Sequence, residues 1–171
     1  MSEPRRYYGI YQGTVFNNVD PKFMGRIMPV VLDVGGQTPL TWAMPSAPFA
    51  GKQMGAFMVP QIGAGVWLQF EGGDPDYPVW TGGWWGNPAE VPALALAGVP
   101  GDANIVLQST LQNAVVISDL PGPTGGIMLK STTGATIIVN DTGIYIQNGK
   151  GASIVMAGPS VTINNGALVV V

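Results

Sequence analysis

The sequence contains no cysteine and no histidine. Disulfides, thiolate metal sites, haem ligation by either residue, Ser-His-Asp triads and Cys-His dyads are therefore excluded, and a symmetric oligomer of the chain lacks them too. Charge is scarce: Asp, Glu, Lys and Arg make up 10% of the 171 residues, against roughly 25% in an ordinary soluble domain. The seven basic residues are scattered and the net charge is −3, so a basic patch for nucleic acid is not expected. No run of about 18 apolar residues occurs, so no spanning helix is expected. Amphipathic helical periodicity is nearly missing as well; only Glu90 to Leu96 suits a single helical turn. No apolar segment follows Arg5 and Arg6, so no secretory signal is expected.

What is present is glycine (25) and proline (15), together with short apolar runs. Residues 103–171 carry four charges: Asp119, Lys130, Asp141 and Lys150. Between the charged first part and this sparse second part lies a Pro/Ala-rich stretch. The expected organisation is a domain over 1–86, a linker over 87–102 and a second domain over 103–171.

The first domain reads as strands. Val66, Leu68 and Phe70 alternate with Trp67 and Gln69, and Gly25 to Val34 alternates in the same way, with Ile27, Pro29, Val31 and Asp33 on one side. Tyr8 to Phe16 and Val79 to Gly83 are further candidates. Turns are expected at 18–21, 35–39 and 72–76, where Gly, Asn, Asp and Pro cluster. Five strands in about 80 residues suit a small closed barrel, whose closure removes free edges.

The second domain is repetitive. Glycines stand at 126, 134, 143, 151, 158 and 166, and between them lie short runs such as Thr136–Asn140 and Ser153–Met156. Each unit reads as one strand and one bend, six or seven strands in all. A thin chain of this kind encloses little core by itself. Three copies wound together would enclose a triangular apolar core, with each strand pairing with a strand of a neighbouring chain. A single-chain β-roll or half of a β-sandwich has the same spacing, because repeat spacing does not report chain number.

The block from Val59 to Gly82, with Pro60, Ile62-Gly63, Val66-Trp67, Phe70, Gly73-Asp74, Pro78-Val79-Trp80 and Gly82, resembles the OB-fold domain of the phage baseplate assembly protein V and VgrG spike family. Gly13-Thr14-Val15, Asn18-Val19-Asp20-Pro21 and Gly25-Arg26-Ile27 resemble that family's opening. Thr136 to Ile144 and Asn165 to Leu168 are similar to the triple-stranded β-helix that ends such spikes. The resemblance implies an all-β protein: an N-terminal OB-fold barrel followed by an intertwined triple-stranded β-helix, or β-prism, needle. It implies a homotrimeric, membrane-puncturing central spike of a contractile injection machine, whether phage tail, extracellular particle or type VI system, assembled in the cytoplasm. A separate hub protein, a PAAR-type tip protein and the target cell envelope would be its partners. With no His, a His-ligated metal tip is not expected. No enzyme activity, cofactor or nucleic acid is expected.

Several side chains admit a sharper reading. Glu71, Asp74 and Asp76 crowd one loop, as general acid/base groups or Ca²⁺ ligands would, or as residues of a hairpin turn would. Trp67, Trp80, Trp84 and Trp85, with Tyr77, form either a stacking platform for bases or sugars or barrel core. An OB-fold module binding nucleic acid or glycan is the alternative function. Leu168, Val169, Val170 and Val171 are apolar to the end, as a platform seating a tip protein would be. Arg5, Arg6 and Lys22 are the cations expected to meet an acidic hub.

Overall fold

The computed structural model describes residues 5–101 and 104–170, and the side chains through Leu168. Two compact units divide the chain, 1–88 and 89–171. Strands dominate both.

In the first unit, the period-two pattern becomes β1 (Tyr11–Asn17), β2 (Met28–Val30), β3 (Met44–Pro45), β4 (Ala50–Gly51), β5 (Met54–Gly55), β6 (Gly65–Phe70) and β7 (Pro78–Trp84). Five of them form one sheet in the order β2-β1-β6-β7-β3. The two ends of that order meet. Ala43 N–H donates to the Ile27 carbonyl at 2.7 Å, and Leu40 N–H to the Pro29 carbonyl at 2.8 Å, so the residues leading into β3 pair with the β2 edge and close the barrel. Alternation decides the core: Val66 and Leu68 of β6 are fully buried, with Val15, Ile27, Val31 and Ala43 around them. Gly13 is required where β1 crosses this core, because a Cβ there would lie 2.5 Å from the Leu68 side chain.

The alternating run over 25–34 is only partly strand. After β2 the chain enters a short helix, α1 (Leu32–Gly35), whose Val34 and Gly35 N–H groups both donate to the Val31 carbonyl. Val31 thereby stays in the core while Leu32 and Asp33 turn to the surface. Glu90 to Leu96 contains no α-helix; it is crossed by two 3₁₀ turns, Pro88–Glu90 and Ala93–Ala97.

In the second unit, β8 (Ile105–Gln108), β9 (Ala114–Ser118), β10 (Gly126–Lys130), β11 (Thr136–Asn140), β12 (Gly143–Gln147), β13 (Ser153–Ala157), β14 (Ser160–Ile163) and β15 (Leu168–Val170) form one antiparallel sheet in sequence order. All six repeating glycines have positive φ and mark strand starts and bends. Asn side chains staple the bends: Asn140 Oδ1 accepts from the N–H of Thr142 and Gly143, and Asn148 Oδ1 from the N–H of Lys150 and Ala152.

One expectation is corrected. Each strand from β9 to β14 pairs on both sides with the preceding and following strands of its own chain, so its backbone ladder has no edge left for a neighbouring chain. Connections of two to seven residues favour this, because they leave consecutive strands within reach as antiparallel neighbours. Any trimer must form through side-chain faces rather than through strand exchange along these six strands.

Candidate functional site

Cross-strand register turns the repeat into a surface. Ile105, Ile117, Ile127, Val139, Ile144, Met156 and Val161 are aligned pair by pair from β8 to β14. Two residues along each strand, Leu107, Val115, Leu129, Ile137, Ile146, Ile154, Ile163 and Leu168 form a second row. Residues directly opposite one another in a ladder share a face, and so do residues two apart in a strand. Both rows therefore lie on one side of the sheet, and neither contains a polar side chain.

This side is open within the chain. Eleven of these side chains are exposed, from Ile146 and Ile154 at 37% to Ile105 at 65%. The opposite side differs. Its middle row holds Val116, which is buried, and the half-buried Met128, Ile138, Tyr145 and Val155. Gln108, Lys130, Thr136 and Gln147 flank that row. Eight strands at about 4.7 Å spacing make the apolar rows roughly 33 Å tall. Monomeric proteins rarely leave an apolar patch larger than a few hundred Å² in water, so a strip of this extent marks an association surface.

The other candidates resolve as follows. The loop carrying Glu71, Asp74 and Asp76 is a turn. Asp74 Oδ1 accepts from the Asp76 N–H at 3.1 Å, and its Oδ2 pairs with Arg6 Nη1 at 2.8 Å. No cluster of three metal-type ligands occurs among the described residues. The tryptophans serve the barrel: Trp80 Nε1 donates to the Gly25 carbonyl and Trp84 Nε1 to the Val66 carbonyl, each at 3.2 Å. Trp67 and Trp84 pack with ring centres 6.4 Å apart. Trp85 and Tyr77 stay exposed.

Of the three cations, Arg6 is held by Asp74 and Arg5 lies over the Tyr7 ring at 5.2 Å. Lys22 belongs to a different loop, built around Asp20. That carboxylate is buried and accepts the N–H groups of Lys22, Met24 and Arg26 together with Arg26 Nε and Nη2, the last at 2.6 Å. The Arg26 guanidinium holds the Asp20 carboxyl far below the usual carboxylate range, aided by the three N–H groups and opposed by burial. At the other end, Leu168 is exposed and closes the second apolar row; Val171 lies outside the described residues, as do the side chains of Val169 and Val170.

Sequence reasoning missed β8, β9 and the register that extends the apolar face through them. The signal was present in Ile105-x-Leu107 and Val115-x-Ile117, which alternate without the glycine punctuation found further along.

Comparison with known families agrees with this geometry. Residues 11–85 match the family described as the type VI secretion system/phage-baseplate injector OB domain. Residues 104–169 match the phage baseplate V C-terminal trimerisation domain. No curated protein matches the chain. A closed five-stranded barrel and a sheet with one bare apolar face are thus a baseplate OB domain and a trimerisation domain in tandem, and the chain belongs to the phage baseplate V spike family, whose members serve as baseplate or injector components.

Proposed function

We propose that the chain is the homotrimeric central spike of a contractile injection machine, and that its work is mechanical. Sheath contraction drives the spike into the target envelope; the spike has only to remain folded under load. The observation that carries this reading is the bare two-row apolar face of β8–β15. Three such faces turned inward would build a prism whose interior is Ile, Val, Leu and Met at every level. Backbone hydrogen bonds between stacked strands would run along the prism, so axial load would fall on the whole ladder.

The OB barrel, 1–86, would adjoin a separate hub at the end of the tail tube. The stretch 87–102 would link it to the needle, 103–171. Arg5, Arg6 and Lys22 would meet an acidic hub, with Arg6 leaving or sharing Asp74. Leu168 to Val171, repeated three times about the axis, would seat a PAAR-type tip protein. The chemistry is noncovalent throughout, with no catalytic group, cofactor or nucleic acid involved. Assembly would take place in the cytoplasm.

Removing residues 168–171 tests the platform. Co-purification of the tip protein should be lost while the trimer survives; tip binding retained at full strength would refute it.

A further inference from the structure

Three barrels carried by one trimerisation domain are held at high effective concentration. Neighbours in a ring of three meet through two different patches, one from each subunit. The barrel carries two patches of this kind.

The first is a projection. Strands β4 and β5 form a two-stranded hairpin that belongs to neither large sheet. Isolated hairpins of this size are marginal in water. This one nevertheless exposes Phe49, Met54 and Phe57, the last at 72%. Gly25 approaches Phe57 so closely that a Cβ there would lie 3.1 Å from the ring, so the hairpin stem and the loop 20–26 form one surface. On that loop Phe23 is 88% exposed and sits at φ +54, a conformation uncommon for a bulky side chain and enforced here by the N–H groups that converge on Asp20. Lys22 and, at the hairpin tip, Lys52 are the cations of this surface.

The second patch is a cleft of about 640 Å³ lined by Thr14, Phe16, Val30, Leu32, Asp33 and Trp84. Phe16 and Leu32 are exposed in it, and Asp33 is its only charged residue. Among the described residues Lys52 and Asp33 have no ion-pair partner. The projection is apolar with cations; the receiving cleft sets Phe16, Val30, Leu32 and Trp84 among the polar Gln12, Thr14 and Gln37 and carries an anion.

We propose that the hairpin Ala50–Gly55 of each barrel docks into the Phe16–Leu32–Asp33 cleft of the next protomer, closing a threefold ring with Lys52 against Asp33. Met54 and Phe57 fill the cleft, and the methionine adapts its shape to the fit. The inference rests on the trimeric reading and adds a second, barrel-level interface to it.

The absence of cysteine makes the test clean. In the full chain, Lys52→Cys and Asp33→Cys are combined, and the reduced sample is treated with a short bismaleimide; a parallel portion is sedimented. Each copy then offers one donor and one acceptor thiol, so a covalent trimer should be the main product, while either single variant stops at dimer. A trimer by sedimentation that yields no more cross-linked product than the single variants overturns the docking and leaves the trimer standing. A monomer by sedimentation overturns both. The swap Lys52→Asp with Asp33→Lys is the check that folding is intact: each single change should lower the Tm of the trimer and the pair together should restore it. Failure of the pair to recover counts against the docking.

Discussion

Leu129 and Ile137 stand directly opposite each other on β10 and β11, both exposed, at the middle of a row that is apolar on every strand. Among the described residues of one chain, 46% of Leu129 and 42% of Ile137 stay open to solvent, and most of the surrounding face is exposed as well. A pair of large aliphatic side chains left in water at the centre of a regular ladder is a cost without a local return, each forgoing about 1 kcal/mol that half-burial would contribute. Packing against two further copies supplies that return.

The first prediction follows from this position. Ile137→Asp would place a carboxylate on the inner face of each of three chains, where it is desolvated near two like charges. Trimers should be lost at micromolar concentration, as read by light scattering. Ile138→Thr, one residue along and on the opposite side, should leave the assembly intact. A trimer that tolerates the aspartate at 137 would mean that this face is not the interface.

Gly126 gives a second prediction. It opens β10 at φ +86, and a Cβ there would lie 2.1 Å from the Val139 carbonyl oxygen on β11. Gly126→Ala must push β10 away from β11 or strain the backbone, at a cost of roughly 1–3 kcal/mol. The thermal transition of the C-terminal unit should fall accordingly. Gly63→Ala, at φ +87 with open space around it, pays only the conformational penalty and should cost less.

The Asp20–Arg26 pair makes the barrel's stability sensitive to acid. Because the folded carboxyl titrates well below its unfolded value of about 4, its stabilisation is complete above that value and declines as pH falls below it. Asp20→Asn should lower the barrel's Tm at neutral pH and flatten its dependence on pH below about 4. It should also release Phe23 from its positive φ, because the acceptor for the Lys22 and Met24 N–H groups is weakened. An unchanged acid profile in the variant, followed by circular dichroism, would remove Asp20 from this role.

Much of this was legible in the sequence, for definable reasons. Val66, Leu68 and Phe70 announced the inner side of a barrel strand because a period of two admits one assignment of faces. The glycine spacing of the second domain announced its bends, all at positive φ. What the spacing did not convey was which strand pairs with which: an eight-residue repeat suits pairing between chains or within one, and short links chose the latter. Asp20 was visible only as part of an opening motif; that it gathers Arg26 and three backbone N–H groups depends on the path of the loop. The hairpin at 50–55 gave no signal, since Ala, Gly, Lys, Gln and Met carry neither alternation nor strand propensity.

The central claim is that the C-terminal sheet reaches its stable state only as three copies. Sedimentation equilibrium of the intact chain at low micromolar concentration tests it most directly. A single species near three times 17.8 kDa, with a Tm that rises with protein concentration, is the predicted result. A folded species at 17.8 kDa, with its apolar face open and its Tm independent of concentration, would contradict it.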